Sequence, residues 1–169
     1  MGRYRPPSPP RSKYITPAGA ATLKDELDYL WRTKRPEVTR AVAEAAAQGD
    51  RSENADYIYG KKQLGEIDRR VRYLRKRLEE IRIIDQVPNT TTKIFFGAWF
   101  QLENEDGTCQ TFRLVGPDEF DQSEEYISMD SPLGKAVMGK SLHEEILVVA
   151  PDGDTRYSIV GINYKPNRS

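Results

Sequence analysis

The stretch that decides the fold reads Gln48-Gly49-Asp50-Arg51-Ser52-Glu53-Asn54. It is polar, it contains a glycine, and it separates two helical patterns of nearly equal length, residues 17–47 and residues 53–83. Each spans about 31 residues, or about 46 Å at the rise of an α-helix. Equal helices joined by a tight polar turn predict an antiparallel hairpin. The turn is then the end of a thin rod, and two of its residues, Asp50 and Glu53, are acids.

Downstream of the turn, Tyr57, Gly60, Leu64, Ile67, Val71, Leu74, Leu78 and Ile81 recur at alternating intervals of three and four. This is a heptad seam, interrupted only by Gly60. Beside it, Lys62, Arg69, Arg70, Lys76 and Arg77 make one flank basic, while the other carries Glu66, Glu79 and Glu80, relieved by Arg72. The basic flank fits a solvated coiled-coil face, and it also fits a track for phosphates.

Upstream, Thr16-Pro17 reads as a hydroxyl N-cap followed by proline at the first helical position. Leu23, Leu27 and Leu30 fall on one stripe, and Trp31, Val38, Val42 and Ala45 continue it with a one-residue slip. Pro36 lies near the slip and predicts a kink. Trp31, beside the slip, and Trp99, further on, read as core residues.

Residues 1–14 are rich in proline and arginine and predict a disordered tail. Residues 86–92 read as a linker. Beyond it the period becomes two: strands are expected over residues 94–102, 109–115, 126–129, 145–150 and 155–164, with an Asp106-Gly107 hairpin turn between the first two. Ser131-Pro132 opens a short helix that Gly139 ends. The expected fold is α+β, with an N-terminal antiparallel coiled-coil helical hairpin over residues 15–85. It is followed by a small, mostly antiparallel β domain with one short helix over residues 93–166.

Composition narrows the function classes. The chain has 169 residues, 37% of them hydrophobic and 31% charged, which suits an extended hairpin better than a compact ball. Its 26 basic and 26 acidic residues cancel, so net charge names no partner. A single cysteine, Cys109, excludes an intrachain disulfide and a cysteine metal cluster, and it is expected to pack. The only histidine, His143, precedes two glutamates and supports no catalytic triad. No apolar run is long enough to cross a bilayer, and the chain is read as a soluble cytoplasmic monomer with no membrane partner.

Asp50 and Glu53 admit two readings. Asp-x-x-Glu ahead of a helix fits a capping box. Two carboxylates on a slender tip also fit part of a Mg²⁺ shell, too few to complete a site or to make a stand-alone nuclease, but enough to complete an ion site that another protein half-builds.

The run Gly49-Asp50-Arg51-Ser52-Glu53-Asn54-Ala55-Asp56-Tyr57, then Lys61-Lys62, then residues 66–74, resembles the bacterial transcript-cleavage factors of the Gre family, the GreB type in particular. Leu30-Trp31-Arg32, residues 35–39, Phe96-Gly97-Ala98-Trp99 and residues 127–132 agree with it. The resemblance extends over nearly all of residues 15–165. It implies that the β domain is FKBP-like and docks beside the secondary channel of bacterial RNA polymerase while the hairpin enters the channel. It implies that Asp50 and Glu53 lend oxygens to a Mg²⁺ ion held jointly with the polymerase, which then cleaves the nascent RNA of a backtracked complex near its 3′ end. By the same resemblance a basic patch drawn from Lys62, Arg69, Arg70, Arg72, Lys76 and Arg77 holds extruded RNA, and Asp130, Ser131 and Pro132 contribute to polymerase docking. The chain itself would not be an enzyme. The alternative is a channel-binding regulator that inhibits or competes without inducing cleavage. The long leader, and Leu133-Gly134-Lys135 where the GreB type often has an Ala-Arg pair, depart from the family pattern.

Overall fold

The computed structural model describes residues 10–51 and 53–164. The first nine residues of the expected tail, Ser52 and residues 165–166 lie outside the described residues. The chain divides into two compact units. One comprises residues 18–81, and the other combines the N-terminal segment up to Pro17 with the chain from Arg82 onward.

The first unit is the helical hairpin. Helix α1 (Pro17–Tyr29) leads through a π-helical turn, Leu30–Lys34, into α2 (Arg35–Ala46), and α3 (Ala55–Glu80) returns. The interruption expected at Pro36 thus takes the form of a widened turn. Proline has no N–H, and its ring would crowd the carbonyl four residues back in an unbroken α-helix. The chain inserts one residue instead, and the Arg35 N–H donates to the Leu30 carbonyl, five positions earlier. This insertion is the physical origin of the slip in the apolar stripe. It also corrects the expectation for Trp31, which is turned off the seam and is 44% exposed.

The seam itself is as expected. Val38, Ile67 and Val71 are buried, with Leu27, Leu30, Val42 and Leu64 packed around them. At Gly60 the two helices approach closely. A Cβ there would lie 2.7 Å from Val42 Cγ2, so only glycine fits without displacement. Two ion pairs link the outgoing and returning helices: Arg35 to Asp68 at 2.8 Å, and Arg70 to Glu26 through two bonds of 2.6 and 2.9 Å. Helix α3 ends earlier than the expected residue 83, because Ile81 turns to extended backbone (φ −68°, ψ 149°) and the next two residues join a strand ladder.

The second unit is the sheet domain. Strands β1 (Tyr14–Ile15) and β2 (Arg82–Ile83) pair in parallel. A five-stranded sheet is built from β3 (Trp99–Asn104), β4 (Cys109–Val115), β5 (Tyr126–Ser128), β6 (Glu145–Ala150) and β7 (Gly153–Asn163). Its order is β5-β4-β3-β7-β6, antiparallel except for β4–β5. Phe100, Leu102, Leu114, Ile146 and Ile159 form the core, and Val137 of helix α4 (Pro132–Val137) packs into it.

Several expectations for this domain are corrected. The first strand begins at Trp99, not at residue 94. Gly97 adopts φ +86° and the Ala98 N–H donates to the Phe95 carbonyl at 3.1 Å, so the residues ahead of Trp99 form a tight turn. Cys109 opens β4 as expected but is exposed. Residues 10–14, read from composition as part of a disordered tail, are seated on the sheet domain through β1 and the side chains described below. The Thr16 hydroxyl donates to the Glu119 carboxylate.

Candidate functional site

The turn between α2 and α3 is held by a residue that the capping-box reading passed over. Asn54 has extended backbone (φ −89°, ψ 100°) and is the N-cap of α3, its side-chain oxygen accepting from the Tyr57 N–H at 3.1 Å. Its Nδ2 donates across the hairpin to the Ala45 carbonyl at 2.6 Å. One side chain therefore caps the returning helix and ties it to the outgoing one. The preference of asparagine for this position is a sequence signal; the acid pair three residues apart masked it.

With Asn54 as cap, Asp50 and Glu53 lie outside the helix. They stand at the two ends of a turn in which the Glu53 N–H donates to the Asp50 carbonyl at 3.3 Å, and Gly49 at φ +142° lets the chain enter it. Both acids are exposed. Among the described residues, the Glu53 carboxylate has no hydrogen-bond or ion-pair partner. Arg51 stacks over the Tyr57 ring at 5.6 Å. No cluster of three or more His, Cys, Asp or Glu side chains among the described residues is arranged to hold a metal ion. The donor set at the turn is therefore two hard carboxylates, which suits a share in a Mg²⁺ shell completed by other ligands.

The basic flank is less uniform than the sequence suggests. Lys62, Arg69, Arg72 and Lys76 are exposed, whereas Arg77 is only 5% exposed. Arg70 is committed to Glu26 and stacks over Tyr73 at 5.3 Å. Arg35, one turn further along the same arm, and Arg75, across the seam, lie over Trp31 at 5.3 and 4.5 Å.

On the sheet domain, Asp130, Ser131 and Pro132 form the entry to α4. Ser131 caps the helix by accepting from the Gly134 N–H at 3.0 Å and donates its hydroxyl to the Ser128 carbonyl at 2.6 Å. Pro132 occupies the first turn and is exposed. The Asp130 carboxylate accepts from Ser12 of the leader, through the backbone N–H at 2.9 Å and through the hydroxyl. Glu119, which the sequence analysis did not single out, is wholly buried. It accepts from the Thr16 N–H at 2.9 Å, the Thr16 hydroxyl and the Gly116 N–H at 3.0 Å. Nothing in the local pattern around Glu119 marks it, because its partner is more than a hundred residues away.

Residues 13–83 match the family description "Transcription elongation factor, N-terminal", and residues 89–164 match "Transcription elongation factor, GreA/GreB, C-term". The chain belongs to the GreA/GreB family. Its relatives place it with the GreB type. It is 54% identical to transcription elongation factor GreB of Pseudomonas aeruginosa, over 98% of this chain and 99% of that protein. It is 56% identical to GreB of Yersinia pestis, over 92% and 91% of the two chains. Among solved structures, GreA factor homolog 1 (Gfh1) of Thermus thermophilus aligns over 90% of this chain and 99% of its own, at 23% identity and a TM-score of 0.42. Among the described residues of this Gre factor, no helix is long and apolar enough to cross a membrane.

Proposed function

We propose that this Gre factor binds bacterial RNA polymerase, enters its secondary channel with the hairpin turn leading, and stimulates cleavage of backtracked nascent RNA in the polymerase active site. The observation that carries this reading is the division of labour at the turn. Asn54 supplies the cap of α3 and the tie between helices, while both acids lie outside the helix and stay exposed. Their exposed carboxylates sit beside the Asn54 cap and are suited to complete a Mg²⁺ site held jointly with the polymerase. When bound there, the ion supplies charge neutralisation at the phosphate and a more acidic water. The chain's own part is to orient two oxygen donors and to fill the channel around them; it hydrolyses nothing by itself.

The exposed cations Lys62, Arg69, Arg72 and Lys76 are placed to track the phosphates of extruded RNA. Arg77 is buried and Arg70 is occupied by Glu26, so their share in that contact is smaller than the sequence suggests. Asp130, Ser131 and Pro132 present the docking turn of the sheet domain.

The test is a halted, backtracked elongation complex. Addition of the wild-type protein should release short 3′ RNA fragments, and Asp50→Asn with Glu53→Gln should reduce release to the polymerase's own background. Undiminished release by the double variant overturns the mechanism. Inhibited elongation with no RNA fragment at all would mark the chain as a channel-binding regulator instead.

A further inference from the structure

The leader, whose composition suggests no role, ends in a built structure. Three separate fastenings hold residues 11–16 on the sheet domain: the Thr16 contacts with buried Glu119, the β1–β2 ladder, and an ion pair from Arg11 to Asp118 at 3.6 Å. Gly116 records how close the fit is, since a Cβ there would lie 2.0 Å from the Tyr14 carbonyl oxygen. Pro10 and Arg11 also wall one side of a cavity of about 660 Å³, whose other sides include Phe120, Tyr126, Ser131 and Lys135.

Ser12 is where this leader meets the docking turn. Its N–H donates to one oxygen of the Asp130 carboxylate and its hydroxyl donates to the other. A carboxylate held through one oxygen still rotates about its last torsion, which is broad; one held through both is fixed in plane and direction. Ser131 and Pro132 do not depend on the leader in this way, because Ser131 is fixed by its own cap and by the Ser128 carbonyl. The leader therefore acts on the one charged member of the docking turn.

We infer that Ser12 is a positioning residue for polymerase docking: it holds the Asp130 carboxylate in the orientation the polymerase meets, so that residues 10–12 and residues 130–132 form one composite docking face. This rests on the docking role proposed above for Asp130. A contact that masked Asp130 would make loss of Ser12 tighten binding, so the sign of the effect separates masking from positioning.

The experiment measures affinity of the full chain for core RNA polymerase, and the cleavage rate in backtracked complexes at saturating factor. Ser12→Ala should weaken affinity about 3- to 10-fold, and Ser12→Asp, which sets a second carboxylate against Asp130, should weaken it more than about 10-fold. Ser12→Thr should bind within about twofold of wild type, because both donors remain. The change should appear in the concentration of factor required and not in the rate at saturation. In an Asp130→Ala background, Ser12→Ala should add nothing, the non-additivity expected of residues acting through one another. A purely structural role would lower thermal stability and leave affinity unmoved. Wild-type or tighter binding by Ser12→Ala and Ser12→Asp, with Asp130→Ala still weakened, overturns this inference and spares the docking reading. Wild-type binding by Asp130→Ala overturns both.

Discussion

The hairpin turn and the leader junction are both organised around acidic side chains, and the fold uses them in opposite ways. At the junction, Glu119 is buried and accepts three hydrogen bonds, while Asp130 accepts two from one residue. Glu119 is consumed in holding distant parts of the chain together, and Asp130 is held in direction by the leader. At the turn the holding is done by a neutral amide, Asn54, and the acids beside it are exposed. An exposed acid is available for chemistry, whereas an acid buried among donors is part of the framework. The same residue type thus reads as ligand or as anchor according to what satisfies it.

The largest expected effect separates these two roles. Asp50→Asn or Glu53→Gln should each lower cleavage in backtracked complexes by at least about 10-fold, since even an outer-sphere partner of a metal is typically worth that much. Neither should move the urea midpoint by more than the equivalent of about 0.5 kcal/mol, as expected of an exposed site. Glu119→Ala should do the reverse. It orphans buried donors and should destabilise the sheet domain by about 3 kcal/mol in urea unfolding, with amide exchange accelerated at Ile15 and Thr16. A Glu119 variant of unchanged stability would collapse the contrast.

Asn54→Ala sharpens it. Loss of the cap and of the Ala45 tie should cost about 1–2 kcal/mol, and cleavage should fall as well because the acids lose their fixed turn. If stability falls and cleavage does not, the turn geometry is not what positions the acids. The smallest effect is expected at Arg70→Ala. Its pair with Glu26 is partly solvated, with side chains 45% and 33% exposed, and should contribute less than about 1 kcal/mol.

The hairpin was legible in the sequence because its determinants are local. The heptad seam from Leu64 to Leu74 and the close approach at Gly60 follow from spacing alone. The slip between Leu30 and Val38 was visible too, but its form as a π-helical turn was not, because spacing records an extra residue without saying which hydrogen bond absorbs it. That missing detail misplaced Trp31. The β strands were legible where alternation was regular, from β4 to β7, and failed at residues 94–98, where apolar residues line a turn instead of a strand. The leader was misread for a different reason. Its composition has little to bury, yet residues 11–16 are retained by polar contacts to Asp118, Glu119 and Asp130, all more than a hundred positions away. At the turn, the acids were found but their neighbour's part was not, since Asn54 and the Asp50–Glu53 pair offer competing cap signals within five residues.

The pairing of Tyr14 with Arg82 also bears on the order in which the molecule is made. The leader leaves the ribosome first, yet its ladder partner follows only after both hairpin helices have been synthesised, and Glu119 later still. Joining such remote segments through a slack chain would carry a substantial loop-closure entropy. An already zipped helical hairpin shortens that loop, because it brings its own two ends together before β1 must find β2. Nascent chains should therefore keep their N-terminus accessible to protease until translation passes Glu119, and the leader should be sealed only when the sheet domain closes over it.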